Sequence, residues 1–341
     1  MLAKGDQDIS QLLFEEIERR HDGPQDWKKI VQDLLGLGRS ALYNRLRGQT
    51  PLLLSEAIIL ANNFHISLDS LQANDHFIIA RHSAQNMPKH AKLEYYLKFL
   101  LEQFTLDEYS PETKLYFASN DIPIFYYALS PELFAFKLFA WGIAMPHSEE
   151  ERKLKFSLKK SLEQNGHLLE IVQRGLNAYN QYPSVEIWPT KILENTLNQL
   201  EFYSRTHTFK DAQEIKQIYE ALEQLIVHIF HYFDLGKKPC ISEADNSQEL
   251  AVYYNEIIQV NSILLVDDPD FKKVYCVFDS PHFLSSSNRW LEKYTKLWFQ
   301  YLMRSSSLLS ENNMGLRNEV LEKYKKQIRQ SRDKTHRILD L

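Results

Sequence analysis

Residues 36–38, Gly-Leu-Gly, separate two short amphipathic runs, and no other stretch restricts the geometry of the chain so closely. Before them, Ile30, Val31, Leu34 and Leu35 recur at the spacing of one helix face, and Asp26 is placed to cap its start. Gly36 can take the left-handed conformation that closes a helix, and Leu37 and Gly38 complete the turn. The next helix spans 39–47, with Leu42 at the centre of its buried side and Leu46 beside it. At 100° per residue, Ser40, Asn44 and Arg47 then fall near the opposite side, flanked by Ala41 and Tyr43. Gly48 and Pro51 end this helix. A further helix over 54–64 carries Ala57, Leu60, Ala61 and Phe64 on one face, and a last turn occupies 67–71. An earlier helix over 8–20 points Ile9, Leu12, Leu13 and Ile17 inward and is stopped by Gly23 and Pro24.

Charge is segregated around this turn. The 341-residue chain carries a formal net charge of -5, which excludes a basic coat spread over the whole molecule. Residues 27–50 nevertheless hold Lys28, Lys29, Arg39, Arg45 and Arg47 against Asp33 alone, a local charge of +4. The preceding helix holds the compensating acid in Glu15, Glu16 and Glu18. A positive face with one helix across a duplex backbone and a second in the major groove is how such a pair reads DNA. Ser40, Ala41, Tyr43, Asn44 and Arg47 are the residues the second helix offers to base edges; Asn can pair with adenine and Arg with guanine in bidentate fashion. Lys28, Lys29, Arg39 and Gln49 are placed for phosphate. Arg45 lies nearer the buried side, where it snorkels to a phosphate or to an acid.

The run Leu35-Gly36-Leu37-Gly38-Arg39-Ser40-Ala41-Leu42-Tyr43-Asn44-Arg45 resembles the helix-turn-helix of the lambda-repressor/Cro-like superfamily. The stretch from Arg47-Gly48-Gln49-Thr50-Pro51 to Ser67-Leu68-Asp69-Ser70-Leu71 is similar to that superfamily's closing helices. Asn120-Asp121-Ile122-Pro123 and Pro131-Glu132-Leu133-Phe134 also resemble the larger domain of a group of bacterial regulators with this head. The resemblance implies a four-to-five-helix DNA-binding domain and a sequence-specific transcriptional regulator of double-stranded DNA, acting as a homodimer. Gln32 stands where a small residue is typical, and Gly38 replaces the usual Ser or Thr cap. With the net-acidic chain, these departures keep a second reading open, a protein-interaction scaffold or sensor whose head no longer binds DNA.

The remainder reads as architecture with little chemistry. The expected organisation is a head over 1–72, a linker over 73–90 and a regulatory or dimerisation domain over 91–341. That last domain is expected to be mostly helical α+β, with short antiparallel hairpins. Helical spacing is read at 93–100, 131–141, 211–233, 250–259 and 290–303, with helices alone between 149 and 234 and a charged, basic helix from 316 onward. One hairpin is read from 114–118 and 122–127, and another from 262–266 and 272–278 around Asp267-Asp268-Pro269-Asp270.

Several functions find no support. Cys240 and Cys276 are too few for a disulfide scaffold or a four-cysteine zinc site, and fit a reducing cytoplasm. His228 and His231 sit three apart, a spacing that can hold a metal, with Asp234 or Cys240 the nearest completing ligands; histidines packed on an aromatic helix are the plainer reading. The aspartates at 267, 268 and 270 lack the EF-hand spacing and its glycine. No signal pattern opens the chain and no apolar run is long enough to span a membrane. Phosphate-loop, dinucleotide, nucleophile-elbow and zinc-protease motifs are missing. The expectation is a non-enzyme with no cofactor and no metal, whose effector or protein partner is unidentified.

Overall fold

The computed structural model describes residues 9–20, 26–64, 66, 68–71, 80–82, 94–98, 101, 109–144, 155–241, 247–257, 261–269, 271–279 and 282–339. Most of the expected linker, the extreme N-terminus and Asp270 lie outside them. The chain divides into two compact units, Met1–Ile79 and Ala80–Leu341.

The first unit is helical throughout its described residues: α1 (Ile9–Arg20), α2 (Trp27–Leu35), α3 (Arg39–Leu46), α4 (Leu54–Asn63) and α5 (Leu68–Leu71). Three residues of α1 and one or two from each of α2, α3 and α4 meet, with Ile66, in a small core of Leu13, Phe14, Ile17, Trp27, Val31, Leu42, Leu60 and Ile66. Helical spacing marks Leu13, Ile17, Val31, Leu42 and Leu60 as inward; it also marks Ile9, which is exposed at the first residue of α1, beyond the reach of the packed face. Fully burying each large apolar side chain is worth about 1.5–3 kcal/mol, and so few leave the unit a modest margin.

The second unit is built on an eight-stranded mixed sheet, larger than the short antiparallel hairpins expected. Its strands are β1 (Arg81–His82), β2 (Lys114–Ala118), β3 (Ser184–Pro189), β4 (Leu250–Asn255), β5 (Ile263–Asp267), β6 (Lys272–Asp279), β7 (His282–Ser286) and β8 (Ser307–Leu308). They lie in the order β1-β7-β6-β5-β2-β3-β4-β8. β2, β3 and β4 run parallel, Leu115 opposite Ser184 and Ser184 opposite Leu250. The other pairings are antiparallel. The β5–β6 hairpin is the one expected around Asp267 and Asp268.

Helices supply the crossovers. A 3-10 turn (Ile124–Leu129), α6 (Pro131–Ala144) and α7 (Leu158–Asn180) join β2 to β3. α8 (Glu194–Arg205) and α9 (Ala212–Asp234) join β3 to β4. These helices, with α11 (Met314–Leu339), share the main core with Leu115, Phe117, Trp188, Val252 and Val266. The other sheet face meets α10 (Arg289–Arg304), where Phe299 and Leu302 pack on Val185, Ile187, Leu265 and Val274.

Three expectations fail here for related reasons. Residues 122–127 do not return as a second strand after β2; they enter the 3-10 turn, because Pro123 begins a crossover rather than a hairpin. Residues 184–189 interrupt the supposed run of helices, and 250–255 form a strand rather than a helix. β3 is buried at every position, as a central parallel strand covered on both faces must be, so its sequence shows no alternation. The basic tail is a helix whose Val320, Tyr324 and Ile328 are buried. Lys323, Arg329, Arg332 and Lys334 of that helix are paired with Glu256, Glu322, Glu223 and Glu201. Among the described residues, no helix is long and apolar enough to cross a membrane.

Candidate functional site

The α2–turn–α3 pair is held by local chemistry. Asp26 caps α2, its Oδ1 accepting from the Lys28 backbone N–H at 3.1 Å. Gly36 closes the helix at φ +63, in the left-handed region that disfavours any Cβ. Gly38 sits at φ -70 and ψ 159, extended backbone open to any residue, so only the first glycine of the turn is needed for its conformation. Gly38 begins α3 without a side-chain cap. Leu42 is fully buried and fixes the inward face of α3.

On the outward side, Ser40 and Arg47 are exposed, while Ala41, Tyr43 and Asn44 are half-buried. Ser40, Tyr43, Asn44 and Arg47 fall within an arc of about 100°. The Asn44 carbonyl accepts from the backbone N–H groups of Gln49 and Thr50 at 2.8 and 3.2 Å, so the segment after α3 is fixed to its last turn. Lys29, Arg39 and Gln49 are exposed. Lys28 is half-buried, its Nζ 5.2 Å from the centre of the Trp27 ring, and the Arg39 guanidinium lies 5.8 Å from the Tyr43 ring.

Arg45 turns inward and meets an acid. Its Nε and Nη2 donate to Glu56 Oε2 and Oε1 at 3.1 and 2.8 Å. Glu56 Oε2 also accepts from the Leu53 backbone N–H at 2.9 Å. Burial pushes the Glu56 carboxyl up, but the Arg45 and Leu53 hydrogen bonds and the Arg45 charge outweigh it and leave the group below its ordinary value. The cations that remain outward are therefore Lys28, Lys29, Arg39 and Arg47.

The larger unit holds a second arrangement that sequence spacing does not reveal. Asp121, just beyond β2, accepts from five groups. Its Oδ2 receives Lys137 Nζ at 2.8 Å and Asn195 Nδ2 at 2.9 Å. Its Oδ1 receives Tyr127 OH at 2.8 Å, Thr196 Oγ1 at 3.0 Å and the Ile122 N–H at 2.9 Å. Lys137 is fully buried in the middle of α6, where its neighbours from Leu133 to Trp141 are all apolar, and also donates to Thr196 Oγ1 and Gln199 Oε1. Burial, then the Asp121 charge, holds the Tyr127 phenol well above its ordinary value, so it stays a donor. Above this network opens a cavity of about 870 Å³ at the carboxyl ends of the three parallel strands, where open α/β sheets bind ligands. Residues 119–121, 190–191 and 256–257, which follow β2, β3 and β4, all line it.

His228 is half-buried and His231 exposed, each beside the Tyr232 ring. His228 Nε2 lies 2.9 Å from the Cys240 carbonyl, and Asp234 is paired with Arg317. Among the described residues no group of three His, Cys, Asp or Glu is arranged to hold a metal ion. Asp267 is held by Lys272 and Lys296, and Asp268 accepts from the Ser110 N–H and the Thr113 hydroxyl, so both serve the hairpin and its neighbours.

Compared with known proteins, the chain matches no protein-family profile, no curated protein and no solved structure.

Proposed function

We propose that the chain is a sequence-specific DNA-binding transcriptional regulator, not an enzyme, working as a homodimer in the cytoplasm. The observation that carries this reading is α3, which buries Leu42 and turns Ser40, Tyr43, Asn44 and Arg47 to one side. That side has the size and polarity of a recognition helix, with Asn44 suited to adenine and Arg47 to guanine. Lys28, Lys29, Arg39 and Gln49 flank it at phosphate positions. Four residues per head, with Ala41 at their flank, give limited discrimination, and two heads one helical turn apart double it.

The larger unit would supply the dimer contact. On α10 the exposed Trp290, Tyr294, Leu297 and Tyr301 follow a four-three-four spacing on the side away from the sheet. In an antiparallel pairing of two copies about a two-fold axis, Trp290 meets Tyr301 and Tyr294 meets Leu297, so the stripe is complementary to itself.

Binding-site selection from random duplexes tests the reading. Enrichment of a two-fold site with half-sites about 34 Å apart is expected; no enrichment overturns it. The rival reading, a protein-interaction head, has its own observation. Leu53, Leu54, Ile58 and Ile59 are 59%, 73%, 44% and 43% exposed on and beside α4, an apolar surface that DNA contact does not require. Under that reading the head selects no duplex.

A further inference from the structure

We propose that the cavity of the larger unit is a binding site for a flat, non-anionic small molecule. This does not depend on DNA binding. Its volume of about 870 Å³ lies within the roughly 300–1,000 Å³ of small-molecule sites. Its inner wall is aromatic: Tyr96, Phe117, Phe125 and Trp141 are buried side chains that nonetheless line it. Faces of this kind take a planar apolar body by stacking.

The mouth differs in kind. Asn198 and Asn261 line it and are exposed, and neither side-chain amide has a hydrogen-bond partner within the chain among the described residues. Each offers an acceptor and two donors to the edge of an occupant.

Charge excludes an anion. Asp121 lies against the first turn of α8, bonded to Asn195 and Thr196, where a bound phosphate or carboxylate would profit from the helix end. Glu194 and Glu256 stand at the rim, set against Lys191 at 3.4 Å and Lys323 at 3.3 Å. Lys137, the buried cation beneath, is neutralised by Asp121 and lies 5.2 and 5.9 Å from the Tyr127 and Trp141 ring centres. Among the described residues the lining itself holds three carboxylates, Asp121, Glu194 and Glu256, against one lysine, Lys191, so the wall is net negative and an incoming anion is disfavoured.

A charge series of one shape tests this on the full chain. Indole, tryptamine and indole-3-acetate are titrated by calorimetry, with saturation-transfer magnetic resonance for weak binding. Indole and tryptamine are expected to saturate, each at least tenfold tighter than indole-3-acetate. Asn261→Trp and Asn198→Trp, both at exposed rim positions, are expected to narrow the mouth and weaken indole at least tenfold with unchanged thermal unfolding. Absence of saturable binding by all three probes overturns the proposal. So does preference for indole-3-acetate, or undiminished indole binding by both folded rim variants.

Discussion

Arg45 and Glu56 form a two-point ion pair, Nε to Oε2 at 3.1 Å and Nη2 to Oε1 at 2.8 Å, that ties α3 to the start of α4. The pair sets the angle at which the outward side of α3 is presented, although neither residue lies on that side. Glu56→Gln removes the charge and one acceptor, and should destabilise the head by about 1–3 kcal/mol. The pH dependence has a definite sign. A carboxyl whose folded value is depressed adds stability above its unfolded value, and loses it as pH falls through the folded one. Protection of the amides of residues 39–46, taken relative to the intrinsic exchange rate at each pH, should therefore fall below the ordinary carboxylate range in the wild type, and be low and nearly pH-independent in Glu56→Gln. Equal exchange in both proteins would remove the pair from the stability of the head.

The same pair changes the expected salt dependence. With Arg45 held by Glu56, three lysine or arginine phosphate contacts remain per head: Lys28, Lys29 and Arg39. A dimer should then show a log–log salt slope of about -5, against roughly -7 if Arg45 also reached phosphate. Lys29→Ala should reduce the magnitude by about 2 for the dimer while weakening all duplexes alike. A slope near -7 that falls in Arg45→Ala would show that Arg45 leaves Glu56 on binding.

Arg47→Ala and Asn44→Ala should each cost about 1–3 kcal/mol at the selected site and relax sequence choice at one position. Competition assays with point-mutated duplexes measure this. Wild-type affinity and specificity in both variants would overturn the assignment of α3 as the recognition helix.

Asp121 and Lys137 should respond unequally to removal. Asp121→Ala leaves a fully buried ammonium with only Thr196 and Gln199 as neutral acceptors, and should cost about 3–5 kcal/mol. Lys137→Met leaves a partly exposed carboxylate that keeps four donors, and should cost distinctly less. Urea unfolding of both variants and of the double variant gives the coupling between them. Equal losses in the two single variants would show that the pair is not what stabilises Lys137.

Leu297→Glu places a charge at the centre of the α10 stripe, where it would meet the partner's aromatic surface. Light scattering should show a halved mass for this variant at micromolar concentration, with the unfolding midpoint of each protomer retained. A wild-type monomer, or an unaltered mass in the variant, would move the dimer contact elsewhere.

Much of the head is legible in its sequence, because its core is a set of i, i+3, i+4 apolar positions and its turn needs a glycine where one stands. Leu42 and Val31 carry that pattern, and Arg45, placed near the buried side, does meet an acid. The sheet is not legible to the same degree. Leu250-Ala251-Val252-Tyr253-Tyr254 is an apolar run that fits a buried helix as well as a buried strand, and periodicity does not separate the two. β3 conceals more, since Glu186, a charged residue in its middle, is buried. Its oxygens accept from Tyr126, from Tyr179 at 2.7 Å and from Trp188 Nε1 at 2.8 Å. The cavity is hidden for a different reason. Lys137 and Thr196 lie 16 and 75 residues beyond Asp121 along the chain, and only the crossovers bring them together.

The sheet's pairing order also governs how the chain matures. The contacts described for the head close within its own unit, and it can pack as soon as it leaves the ribosome. β2 cannot: Leu115 waits for Ser184 on one side and for Val266 on the other. Until both arrive, the central strand of the larger unit is a naked apolar edge, slow to close and prone to join its like on a neighbouring nascent chain. Synthesis thus passes through a stage with a finished head on an unfinished body, and chaperone demand should be concentrated on residues 114–267 rather than on the N-terminal quarter.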